Sequence, residues 1–143
     1  MPSAPGSRTG PPPVSARVDY AVRALLALAA AQPDTVNARR LADAGQIPPG
    51  YLYDVLADLR RAELVRVRLG PRGGYSLARP AAEVTLGAVL RLLDGAPSGP
   101  PARTGTGELA ARLDRLWSAA AEASLRVLDG LTLADVVAGR LDV

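Results

Sequence analysis

The chain has no cysteine, no histidine, no phenylalanine and no lysine, and each absence narrows what it can be. Without cysteine and histidine there is no disulfide, no thiolate nucleophile, no imidazole base, and no thiolate or imidazole ligand for a metal. Most enzyme classes use at least one of these groups. No nucleophile–base pair, phosphate loop or paired-carboxylate motif stands in for them, so no catalytic residue is assigned and an enzyme is not expected. The remaining carboxylates do not cluster with asparagine and loop glycines at calcium-site spacing, so neither a metal nor a cofactor is expected. With a hydrophobic fraction of 48% and no Phe, the core has to be built from Leu, Val and Ala, a mixture suited to close-packed helices. A mainly α chain follows. At 143 residues it is long enough to bury a core unaided.

What is present is unevenly charged. All 17 basic residues are arginine. Residues 15–80 carry ten Arg against six acids, net +4, residues 81–143 carry six Arg against eight acids, net −2, and Arg8 supplies the rest of the overall +3. A basic first half followed by a slightly acidic second half reads as a polyanion-facing module joined to a different one. Residues 1–14, MPSAPGSRTGPPPV, hold five Pro, two Gly and two Ser and no apolar run long enough for a signal peptide or a membrane span. They read as a disordered leader on a cytoplasmic protein with no membrane partner.

Ser15 is placed to cap a helix running to about Gln32, with Val18, Val22, Leu25 and Ala29 as its apolar stripe and Pro33 as its stop. Asn37 caps a second, short helix through Ala44, Gly45 and Gln46 make a turn, and Pro48-Pro49 open a third. In that third helix Leu52, Val55, Leu56 and Leu59 face inward while Tyr53, Asp54, Ala57, Arg60 and Arg61 face out. Two short helices around a tight turn, the second with a polar outer face, are helix-turn-helix grammar. The alternation from Leu64 to Leu69, the turn Gly70-Pro71-Arg72-Gly73-Gly74 and the run Tyr75 to Ala78 read as a hairpin with Arg72 at its tip, that is, a wing. Thr85 caps a helix containing Leu86, Val89, Leu90, Leu92 and Leu93, which closes a winged helix-turn-helix domain over 15–94. Residues 95–107, GAPSGPPARTGTG, read as a flexible loop. From Glu108 to about Asp129 runs one helix of roughly 33 Å. Its apolar positions Leu109, Leu113, Leu116, Ala120, Ala123 and Val127 step by 4, 3, 4, 3 and 4, the seam of a coiled coil, with Trp117 beside it. Helix pairing is implied, so residues 108–143, ending in a short Thr132-capped segment from Leu133 to Ala138, read as a dimerisation unit.

Three ordered blocks, DYAVRALLALA (Asp19 to Ala29), YLYDVLADLRRAELV (Tyr51 to Val65) and GPRGGYSLARP (Gly70 to Pro80), resemble the Rrf-two family, the family of IscR and NsrR. The resemblance spans about residues 15–94. It implies a winged helix, a twofold homodimer and binding of double-stranded DNA at palindromic operators, usually as a repressor. Three departures accompany it. Cluster-bearing members place three cysteines in the loop that here is 95–107 and holds none, so iron–sulfur sensing through those ligands is excluded. The family's turn glycine aligns with Gln46, and the serine that opens the recognition helix aligns with Pro48. The acidic residue that follows the Tyr-Leu pair is replaced by Tyr53, with Asp54 next, so sequence preference should differ from that of cluster-bearing relatives.

The expected DNA-binding set follows from phosphates supplying attraction and grooves supplying selectivity. Pro49, Gly50, Tyr51, Tyr53 and Asp54 lie in the first turns of the recognition helix. Asp54 is placed either to accept from a cytosine amino group or to favour the positive end of the helix, and Tyr51 either to reach a base or to touch phosphate or water. Arg72, followed by Gly73, is free to enter a minor groove. Arg39, Arg40, Arg60 and Arg61, with Arg66 and Arg68, are phosphate candidates, each with a solvated face as the alternative. Asp19, Tyr20 and Arg23 are expected to brace the fold or the dimer. Trp117 is either interface core or one wall of an effector pocket. A small-molecule or protein effector is compatible with the sequence and not named by it. The competing reading is a winged-helix protein-interaction module that has lost operator binding, favoured by Pro48 and the modest net charge.

Overall fold

The computed structural model describes residues 14–93 and 106–143, so the leader, apart from Val14, and most of the 95–107 loop lie outside the described residues. Six α-helices and one hairpin follow in the order α1 (Ala16–Ala31), α2 (Ala38–Gly45), α3 (Pro49–Arg61), β1 (Val65–Arg68), β2 (Gly74–Leu77), α4 (Leu86–Leu93), α5 (Glu108–Asp129) and α6 (Leu133–Ala138), with a 3₁₀ turn at Ala81–Glu83. The fold is mainly helical with a winged helix-turn-helix at its centre. No helix among the described residues is long and apolar enough to cross a membrane.

The helix starts are set by short polar side chains satisfying first-turn N–H groups. Ser15 accepts from the Val18 amide, Asn37 from Arg40, Thr85 from Ala88, and Thr132 from Asp135, whose carboxylate accepts in return from the Thr132 amide. α5, entered through Gly107, has no such cap, and neither has α3. Pro48 stands at its N-cap with no side-chain hydrogen bond, and Pro49 occupies the first helical position, where a missing N–H costs nothing.

Leu52, Val55, Leu56 and Leu59 of α3 are all buried, as their spacing requires. On α1 the expected stripe needs correction: Val18 and Leu25 are buried, but Ala21, Ala24 and Leu28 are the other buried positions, and Val22 and Ala29 are only partly covered. The reason is that α1 packs against α2, α3, α4 and α6 at once, so its small alanines are enclosed as well as its larger side chains. Leu133 of α6 is fully buried in the same core, which ties the C-terminal segment to the winged helix. Burying one such leucine contributes about 2 kcal/mol.

β1 and β2 pair antiparallel with Val65 opposite Leu77 and Arg68 opposite Gly74. The hairpin is shorter than its sequence pattern: Leu64 and Leu69 fall outside β1, and Leu69 is exposed in the turn. Val36, just before α2, adds a third partner. Its amide donates to the Tyr75 carbonyl at 2.9 Å and its carbonyl accepts from the Tyr75 amide at 2.8 Å, which fixes the wing against the start of α2.

Candidate nucleic-acid interface

Gln46 ends α2 in the left-handed conformation, φ 55° and ψ 48°, and fills the role of a turn glycine at some cost in backbone strain. The Ile47 amide then donates to the Ala42 carbonyl and α3 begins. Pro49, Gly50, Tyr51, Tyr53 and Asp54 are all exposed along the first turns of α3, as an edge-reading surface needs. Tyr51 is held by more than its own helix: its ring lies 5.2 Å from that of Tyr20 on α1, and the Arg23 guanidinium sits 5.6 Å from the Tyr20 ring centre. Arg23 is in turn paired with Asp19 at 2.9 Å. The Asp19, Tyr20 and Arg23 block thus braces the start of the recognition helix.

The wing tip is built from glycines for two different reasons. Gly70 has φ 104°, which only glycine adopts freely, whereas a β-carbon on Gly73 would run into the Arg68 carbonyl. Between them Arg72 is exposed. Its carbonyl accepts from the Thr35 hydroxyl at 3.2 Å, a donor shared with the Gly73 carbonyl at 3.5 Å. Thr35 lies two residues before the Asn37 cap of α2, so this bond ties the wing tip to the segment that leads into α2, whose first turn carries Arg39 and Arg40. Two guanidiniums at the positive end of a helix dipole repel that end and favour an incoming anion such as phosphate.

Among the described residues Arg39, Arg40, Arg60, Arg66, Arg68, Arg72 and Arg79 make no ion pair, while Arg61 is paired with Asp58, which also takes Arg17 from α1. Arg60 and Arg61 lie in the last turn of α3, roughly 18 Å along the axis from Pro49. Arg60 lines a cavity of about 380 Å³ at the hairpin root with Glu63, Arg66 and Arg79. Arg39 and Arg40 thus share the first turn of α2, Arg72 stands on the wing tip that Thr35 ties to the segment before that helix, and Arg60 and Arg61 lie at the far end of α3 from Pro49. Thr35, which steadies the wing, was not read from the sequence; the β-branched pair Thr35-Val36 ahead of the Asn37 cap was its signal.

On α5 the seam residues Leu109, Leu113, Leu116, Ala120, Ala123 and Val127 are all exposed, and Trp117 is 46% exposed. Only Leu125 of this helix is buried, against Val18 and Leu90. Arg91 of α4 grips Asp129 at the end of α5 through two hydrogen bonds of 2.6 and 2.9 Å, which hold the Asp129 carboxyl below its ordinary pKa.

A helix-turn-helix with a braced recognition helix, an arginine-tipped wing and unpaired guanidiniums defines a winged-helix DNA-binding regulator. Comparison with known proteins gives the family. Residues 14–139 match Rrf2, described as an iron-dependent transcriptional regulator, and the chain belongs to this family of DNA-binding transcriptional regulators. It is 42% identical over 134 residues, 90% of this chain and 83% of the other, to Rv1287 of Mycobacterium tuberculosis, a protein named as an HTH-type transcriptional regulator. It is 34% identical over 84 residues to the IscR regulator of Cereibacter sphaeroides, covering 57% of this chain and 54% of that one. The solved structure of CymR, the global cysteine regulator of B. subtilis, superposes with a TM-score of 0.72 at 28% identity, over 87% of this chain and 95% of that one. T. potens IscR superposes with a TM-score of 0.73 at 28% identity, over 89% and 87%.

The family's iron does not fit the residues present. The chain supplies neither cysteine nor histidine, and no three acidic side chains group together among the described residues. Iron–sulfur ligation needs thiolate or imidazole donors that this sequence lacks.

Proposed function

We propose that the chain acts in the cytoplasm as a homodimeric repressor of a palindromic operator, and that it does so without an iron–sulfur cluster. The uncovered heptad seam of α5 carries this reading. Five large apolar side chains in solvent along a helix of about 33 Å are the surface a second copy would cover, since isolated apolar stripes of this length are not stable in water. Pairing two copies through this helix would present two α3 starts and two Arg72 tips to one duplex, with the recognition helices about 34 Å apart. Residues 15–94 are then the DNA-binding part and residues 108–143, through α5, the dimerisation unit. Of the candidate residues, Arg39, Arg40, Arg72 and Gly73 would hold the backbone and minor groove, and Gly50, Tyr51, Tyr53 and Asp54 would meet the major groove. Occupying promoter DNA in this way blocks transcription.

Fluorescence anisotropy on a duplex from the promoter region of its own gene, with light scattering to give the mass in solution, tests the proposal. The expected result is salt-sensitive binding by a species of twice 14.8 kDa. Iron analysis of protein purified without oxygen is expected to give no stoichiometric iron. A second reading, a winged-helix module that works through protein contacts alone, is favoured by the missing side-chain cap at Pro48. It requires that Arg72→Ala leave function intact while changes at Leu113 and Leu116 abolish it.

A further inference from the structure

A cavity of about 570 Å³, open to solvent, lies between α1, the end of α2 and α6, away from the wing and from the exposed seam of α5. Its walls are almost wholly aliphatic, with Leu26, Ala27 and Ala30 on one side and Val136 and Val137 on the other, and among the described residues its single charged lining group is Arg23. Val137 is 46% exposed, a valine left in water where packing has not covered it. The volume falls in the range of small-molecule sites, which combine an apolar body with a few convergent polar groups.

Arg23 is only partly committed. Asp19 occupies its Nε at 2.9 Å, and Nη1 reaches the Gln46 carbonyl at 3.5 Å, the outer limit of a hydrogen bond. The two terminal nitrogens therefore remain able to take a carboxylate side by side, the geometry in which guanidinium binds this group best. Among the described residues no acidic side chain lines the cavity, so an ammonium on the ligand would find no partner there. The same Arg23 touches the two parts that set the recognition helix: the left-handed turn at Gln46 and, through the Tyr20 ring, Tyr51 in the first turn of α3.

We infer that this cavity is an effector site for a small aliphatic monocarboxylate, whose carboxylate takes the terminal nitrogens of Arg23 while its chain lies between α1 and α6. Binding withdraws Arg23 from the Gln46 carbonyl and from Tyr20, loosens the turn and the Tyr51 stack, and weakens operator binding. The coupling rests on the reading of the chain as an operator-binding regulator; occupancy of the cavity does not.

The test uses full-length protein with hexanoate as the probe and 1-hexanol as the uncharged control. Two-dimensional amide NMR is expected to show saturable shifts at Ala27, Ala30, Gly45 and Val137 with hexanoate and not with hexanol. Arg23→Gln, at a half-buried position, and Val137→Asp, at an exposed one, should each weaken binding about tenfold, the scale of one charge-assisted contact. Hexanoate should raise the operator Kd of the wild type and leave that of Arg23→Gln unchanged. Equal binding of hexanol, shifts indifferent to Arg23→Gln, a cavity filled by a second copy, or bound hexanoate with no change in operator Kd would each overturn the inference. Failure of operator binding in the absence of hexanoate instead removes the function proposed above, and the NMR titration still decides the site.

Discussion

The winged helix and α5 treat their apolar and charged side chains in opposite ways. From α1 to β2 the large aliphatic residues are enclosed, Leu25, Leu28, Leu41, Leu56, Leu59 and Leu64 almost completely, and seven guanidiniums between Arg39 and Arg79 are left without an internal carboxylate among the described residues. α5 buries Leu125 alone and leaves Leu109, Leu113, Leu116, Trp117 and Val127 in solvent. The first region is complete as a fold and incomplete in charge; the second is incomplete as a fold. One asks for a polyanion, the other for an apolar partner.

The sharpest way to break this contrast is to make α5 polar. Leu113→Asp with Leu116→Asp is expected to halve the solution mass by light scattering and to weaken operator binding about a hundredfold or more, because the second half-site is no longer held in the same complex. The winged helix should stay folded, since neither leucine belongs to its core. Removing charge from the other region comes next. Arg72→Ala should cost about tenfold in affinity, and if the guanidinium meets phosphate the slope of log K against log salt should fall by about 0.9. A smaller effect is expected from Thr35→Val, which keeps the volume and removes the hydroxyl holding the Arg72 and Gly73 carbonyls: about fivefold weaker binding with the salt slope retained, on the scale of one net hydrogen bond.

The positions of these elements were legible in the sequence wherever the cause was local. Ser15, Asn37, Thr85 and Thr132 each cap the helix that follows them, and the four buried residues of α3 are those its spacing selects. The hairpin, its arginine tip and the exposed seam of α5 were legible for the same reason. What was hidden depends on segments distant in sequence meeting in space. Asp58 joins Arg17 forty-one residues away, Arg91 closes on Asp129 thirty-eight residues away, and Val36 pairs with Tyr75; nothing in the local pattern marks any of these partnerships. The buried face of α1 escaped for a related reason, since periodicity weighs alanine lightly and four neighbouring helices do not. Arg60 and Arg61, read as phosphate candidates, lie at the opposite end of α3 from Pro49 and Gly50, so any contact they make is a separate one from that of the helix start.

The link between the two regions gives the smallest expected effect. The Asp129 carboxyl is held below its ordinary pKa by the hydrogen bonds from Arg91, and Asp135 by the backbone and side chain of Thr132. A depressed folded value means that their stabilisation is present above the unfolded pKa and is lost as pH falls through the folded one. Melting temperature should therefore drop as pH is lowered below about 4, the ordinary carboxylate range. Asp129→Asn and Asp135→Asn should each make that acid limb slightly shallower, because both groups are solvent-accessible and screened.

Hydroxyl-radical footprinting of the full chain on DNA from its own promoter region tests the joint demand of the two regions most directly. The expected pattern is two protected patches related by a twofold axis, their centres about one helical turn apart, that disappear together in the Leu113→Asp, Leu116→Asp protein. A single protected patch on a monomer, or a symmetric footprint that survives the loss of the α5 seam, would contradict the account.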